Sequence, residues 1–174
     1  NALGGYGEYP PLMGYVPPAL SKWADTDLVW PYTDMNEEER VAEANAMLDD
    51  LGFEAGKDGV RVTDKGEKME FRLRVMTWPS YIRAAEQVKK DLEKIGIGCD
   101  ILASDPETLY GGIIYSGERP EDWDLLVHGS TVGNVDYIAR DWAPEPPTSW
   151  CNGPAFGWEN EETVSLMQAS RGEM

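Results

Sequence analysis

Histidine occurs once in this 174-residue sequence and cysteine twice, which removes several kinds of chemistry at the outset. Cys99 and Cys151 lie far apart and form no CxxC pair, so zinc-ribbon and thioredoxin-like sites are excluded. A disulfide between them is permitted by the count; two separate core thiols are the simpler expectation. Basic residues are also scarce, 15 against 32 acidic ones, for a net charge of −17. Phosphate backbones and anionic lipid surfaces repel such a chain, so no nucleic-acid partner is expected, and the acidic excess reads as a solvated face. Long apolar runs are missing: none approaches the roughly 20 residues of a membrane-spanning helix. No HExxH, GxSxG or phosphate-loop motif is present, and Gly4-Gly5-Tyr6-Gly7 precedes any strand, so it is no dinucleotide fingerprint. No cofactor is expected.

Hydrophobic residues make up 41% and charged residues 27%, the balance of a globular chain with a core. No signal peptide is read in the first six residues, which carry neither a basic region nor an apolar run, and residues 1–2 are expected to be the scar of tag cleavage. Residues 3–33 are rich in Gly, Pro and aromatics, with Pro10-Pro11 and Pro17-Pro18 breaking regular structure. They read as an extended segment wrapping over residues 34–174, which carry the regular elements. The chain stops soon after its last helical pattern with no closing strand, which suggests a truncated unit.

Asn36 and Glu39 have capping-box spacing, and Val41, Ala44, Leu48 and Leu51 follow at helical intervals up to a stop at Gly52. Residues 60–63 and 69–77 are predicted as strands joined through Asp64-Lys65-Gly66, with Phe71, Leu73 and Val75 alternating against Arg72, Arg74 and Met76. Pro79 opens a helix whose apolar stripe is Tyr81, Ala85, Val88, Leu92 and Ile95, and Gly96 closes it. A strand over 97–103, a helix over 106–115, a strand over 124–128 and a helix over 161–169 complete the pattern. Strands alternating with helices of this length imply parallel βαβ units.

The stretch 42–130 resembles the family 5 solute-binding proteins, the oligopeptide, dipeptide and nickel-binding group of ABC importers. Glu43-Ala44-Asn45-Ala46-Met47-Leu48-Asp49-Asp50-Leu51-Gly52-Phe53 is similar to that family's "A-x-x-L-L-x-x-A-G-F" helix. Asp58-Gly59-Val60-Arg61, Gly66 and Phe71-Arg72-Leu73 resemble its hairpin, and residues 84–97 resemble its helix-to-strand passage into Gly96-Ile97. Trp123-Asp124-Leu125 with Gly129, and more loosely residues 152–166, follow in the same order. The resemblance implies a type II periplasmic-binding-protein-like lobe: an α/β fold with a mixed sheet, βαβ units and flanking helices. It implies the second lobe of a clamp whose first lobe is absent. It further implies a monomeric protein, periplasmic or extracellular and with a lipid anchor as one option. Such a protein hands an oligopeptide or oligosaccharide to ABC permease subunits.

In α/β sheets the ligand crevice lies beyond the carboxyl ends of the strands. That rule singles out Trp78 after one strand, Ser104 and Asp105 after the next, and His128, Ser130 and Thr131 after the third, with Trp142 and Trp150 downstream. Each has a plainer reading. Trp78 before a helix-opening proline serves equally well as a hydrophobic staple, and Ser104 is placed to cap the 106–115 helix. His128 is more simply a satisfied, partly buried histidine, and Asp124 at a strand start is structural. Oligopeptide binders of the resembled family carry an Asp four residues after the glycine matched by Gly129, where it holds the peptide amino terminus. Here that position is Gly133, so either Asp136 replaces the carboxylate or the ligand presents no free amine there. Seven tryptophans keep an oligosaccharide ligand open.

Two other classes compete. Cys151 with His128, or Glu121, Asp122 and Asp124, would supply an enzyme's nucleophile and base or paired carboxylates, but no oxyanion-hole signature accompanies them. Enzymatic activity is not expected. A regulatory or interaction domain on the same fold is the remaining alternative.

Overall fold

The structure, a computed structural model, describes residues 22, 27, 31–111, 123–127 and 160–172. The chain divides into two compact units: one holds Asn1–Tyr9, Val29–Ser104 and Asp122–His128, the other Pro10–Leu28, Asp105–Glu121 and Gly129–Met174.

In the first unit, helix α1 runs over Glu37–Asp50. Its capping box forms as the spacing requires: the Glu39 amide donates to Asn36 Oδ1 at 3.0 Å and the Asn36 amide to Glu39 Oε2 at 2.7 Å. Three glutamates in the first turn face the positive end of the helix dipole. The apolar stripe is only partly realised. Val41, Ala44 and Leu48 are half-buried, whereas Leu51 falls beyond the helix and is 64% exposed.

The Asp64-Lys65-Gly66 turn is present, with the Gly66 amide donating to Thr63 O at 2.9 Å and Gly66 at φ 78°. The strand expected over 60–63 is not formed; only the isolated antiparallel bridges Ala55↔Arg61 and Val62↔Lys68 occur there. The cause is visible at Arg61. Its amide donates to Gly96 O at 2.7 Å while its carbonyl accepts from Met69 at 2.8 Å, so the chain is shared between two neighbours instead of lying along one.

Strand β1 (Glu70–Met76) is central, and β2 (Gly98–Ser104) and β3 (Leu125–Val127) flank it in the order β2-β1-β3. Both pairings are parallel, with Leu73 opposite Ile101 on one side and Leu125 on the other. Helix α2 (Pro79–Glu93) makes the β1-to-β2 crossover, with Pro79 in its first turn. Gly96 ends the passage at φ 76°, and a Cβ there would sit 3.0 Å from both Arg61 Cγ and Gly59 O, so glycine is required twice over. Leu73, Val75, Ala85 and Cys99 form the buried core, with Tyr81, Ile82, Leu92, Ile101, Leu125 and Val127 packed against it. A fully buried leucine or valine of this kind contributes roughly 1.5–3 kcal/mol. Val88, expected in the stripe of α2, is 36% exposed, while Ile82 is packed in its place.

In the second unit, α3 spans Pro106–Leu109 and the chain stays helical, in a π turn, through Tyr110 and Gly111; residues 112–115 of the expected 106–115 helix lie outside the described set. Its cap is Asp105, not Ser104: Asp105 Oδ1 accepts the Thr108 amide at 3.0 Å and Oδ2 the Thr108 hydroxyl at 2.6 Å. A proline at the first helical position puts the cap on the residue just before it. Helix α4 covers Glu161–Gly172, three residues longer than the pattern suggested, and Asn160 Oδ1 accepts the Thr163 amide at 2.8 Å.

Candidate functional site

Because β1, β2 and β3 are parallel, their carboxyl ends share one edge of the sheet. The chain goes from β1 to β2 on one side and then returns past β1 to place β3 on the other. A 2-1-3 order reverses direction between the first and third strands, and in open α/β sheets generally such a reversal is where ligand crevices form. Trp78 stands at the β1 end of that reversal point.

The residues leading to Trp78 anchor it firmly. Val75 and Met76 have no exposed surface. The Thr77 amide donates to Ser104 O at 3.0 Å, extending the ladder one step past the strand. Trp78 itself is 49% exposed and occupies the N-cap position of α2 without a side-chain cap bond. The staple alternative needs a residue one position earlier than the N-cap that Trp78 occupies. Its ring instead meets Tyr81 edge-on, centroids 5.7 Å apart and planes at 79°. The indole is braced on the helix while part of its surface stays open, the arrangement a stacking platform needs.

The other described candidates have structural duties. Ser104 Oγ accepts from Arg74 Nη1 at 2.9 Å. The hydrogen bonds from the Thr108 hydroxyl and amide hold the Asp105 carboxyl below the usual aspartate range, which suits a helix cap. Asp124 is structural as expected: it accepts the Arg72 amide at 2.8 Å and the Arg72 guanidinium at 3.1 and 3.2 Å, while its own amide donates to Arg72 O at 2.9 Å. This double clasp fixes where β3 begins against β1. Cys99 is a buried free thiol, and burial pushes its pKa up, away from a reactive thiolate. His128, Ser130, Thr131, Asp136, Trp142 and Trp150 lie outside the described residues, as do Gly133 and Cys151. Among the described residues no helix is long and apolar enough to cross a membrane.

One residue with a large role was not singled out from the sequence. Arg61 is only 5% exposed, and its guanidinium reaches Asp49 Oδ1 at 2.5 Å, Asn45 Oδ1 at 2.7 Å and the Phe53 carbonyl, with Nε donating to Ile95 O at 2.9 Å. Phe53 and Ile95 lie just past the ends of α1 and α2, so one cation serves the negative ends of two helices. A lone arginine between Val60 and Val62 was the available signal, and its alternation imitated a strand.

The fold built on this edge is that of known solute-binding proteins. The oligopeptide-binding protein AppA of Bacillus subtilis, solved with a nonapeptide, superposes with a TM-score of 0.63 at 22% identity, covering 88% of this chain and 29% of that one. An oligopeptide-binding protein of Thermus thermophilus, complexed with a pentapeptide, gives 0.62 at 18% identity, over 90% of this chain and 27% of that one. A periplasmic oligopeptide-binding protein of Thermotoga maritima, with mannohexaose bound, gives 0.59 at 19% identity, over 73% of this chain and 24% of that one. The chain thus has the α/β fold of a type II periplasmic-binding-protein lobe, and it spans about a quarter of the length of these structures. Among the described residues the three-stranded sheet is parallel throughout, where a mixed sheet was expected, and the antiparallel pairs Ala55↔Arg61 and Val62↔Lys68 are isolated bridges outside it. No protein-family model and no curated protein matches the sequence.

Proposed function

We propose that this chain is one lobe of the substrate-capture protein of an ABC importer, acting in the periplasm or outside the cell. In this reading the carboxyl edge of the sheet forms one wall of a cleft, and a second lobe closes over the solute held there. The half-exposed Trp78 at the β1–β3 reversal is the observation that carries it. The structural neighbours support binding in preference to catalysis, since each is named as a binding protein.

A peptide-like solute is the preferred ligand, supported by the nonapeptide and pentapeptide complexes of two neighbours. An oligosaccharide is the second reading, favoured by the mannohexaose complex of the third and by an open indole surface suited to the apolar side of a sugar ring. Gly133 leaves no carboxylate at the position where the resembled family holds a peptide amine, so in this reading either Asp136 takes that role or the ligand presents no free amine there. Thermal-shift and native mass spectrometry screens of the two-lobed protein against peptide and oligosaccharide panels test the assignment. Binding of peptides with silent sugars is the expected result; the reverse replaces the ligand, and silence from both removes the function.

A further inference from the structure

Helix α1 buries none of its residues, and none belongs to the core cluster of the unit it sits in. Fourteen residues of helix are too few to persist alone in water, and the half-buried Val41, Ala44 and Leu48 give α1 only partial apolar packing, so polar ties carry much of its attachment. Two polar attachments are visible, one at each end. At the carboxyl end, the buried Arg61 guanidinium gathers Asp49 Oδ1, Asn45 Oδ1 and the Phe53 carbonyl, and its Nε ties them to Ile95 O beyond α2. At the amino end, Lys94 Nζ bridges Glu37 Oε1 at 2.6 Å and Asp91 Oδ1 at 2.7 Å. Between these ties α1 and α2 do not close on each other. An open groove of about 360 Å³ lies between them, lined by Glu37, Arg40, Val41 and Ala44 from α1 and by Gln87, Asp91 and Ile95 from the other side.

We propose that α1 is a latched element, pinned to the sheet and α2 by Arg61 and Lys94, which opens as a unit while the sheet and α2 remain folded. The two pins are unequal. Lys94 and its carboxylates are exposed to solvent, where such pairs are weak and screened by salt. Arg61 is buried and makes most of the bonds, and its planar fork meets acceptors that a lysine cannot meet together. Opening therefore turns on Arg61. It would uncover Val41 and Ala44 and the wall of α2 beneath them without disturbing Leu73, Val75, Ala85 or Cys99.

Native-state hydrogen exchange on the full 174-residue chain tests this directly. Amides of residues 41–50 should exchange at least about tenfold faster than those of Leu73, Val75 and Ile101, with a weaker denaturant dependence, as a sub-global opening requires. Exchange of α1 and β1 at one rate and with one denaturant slope would overturn the proposal. R61M should speed α1 exchange by a further factor of about ten while leaving β1 and β2 within about threefold, and R61K should not restore the protection. K94Q should give a smaller rise that vanishes at high salt. Unchanged α1 protection in R61M, or an equal loss across the whole sheet, counts against the latch.

Discussion

Trp78 and Asp105 each follow the carboxyl end of a strand, β1 for one and β2 for the other, yet they do different work. Trp78 is braced by Tyr81 and keeps an open surface, whereas both carboxylate oxygens of Asp105 are occupied by Thr108. The cap also carries a pH signature. The Thr108 hydroxyl and amide lower the Asp105 pKa, so its stabilising effect is complete above the ordinary aspartate value and is lost as pH falls through the lowered one. T108V removes the hydroxyl donor, and the Asp105 titration followed by carboxyl-carbon NMR should move up toward the ordinary range. A midpoint unmoved by T108V would mean that the hydroxyl bond is not what lowers it. Cys99 should resist thiol reagents in a C151S background until the chain is unfolded, because its thiol is buried and its ionisation suppressed. Labelling at the rate of a free thiol would contradict that placement.

At the scale of elements, the passages read correctly from the sequence are those governed by local chemistry. The Asn36–Glu39 box, the Gly66 turn, Pro79 at a helix start and Gly96 at its end depend on a few adjacent residues. The failures involve partners far along the chain. Residues 60–63 alternate like a strand, but Arg61 is drawn to Ile95, 34 residues away, and its amide to Gly96. Leu51 and Val88 continue helical stripes that the tertiary packing does not use. Gly96 is where α2, β2 and Arg61 crowd together, so G96A combines a positive φ with a close contact. It should cost about 1–2 kcal/mol in denaturant melts, and a loss below about 0.5 kcal/mol would show that the junction yields easily.

For the whole molecule, the α/β fold with parallel units was legible because strand and helix periods alternate cleanly from β1 to β3. The sheet-edge rule also pointed to Trp78, which does lie just past the carboxyl end of β1 and opens α2. The reversal between β1 and β3 was not readable, since strand order depends on which edge each returning strand joins. The rest of the candidate site, from His128 to Trp150, falls outside the described residues. In the proposed reading, solute capture turns on the open indole of Trp78 at the carboxyl edge of the sheet. Isothermal titration of the two-lobed protein, wild type against W78A, with the ligand that a screen identifies, measures that claim directly. The variant should melt within a few degrees of wild type, having lost about 1 kcal/mol of edge contact with Tyr81, and should bind at least about tenfold more weakly. Unchanged affinity in a folded W78A protein would place the solute elsewhere.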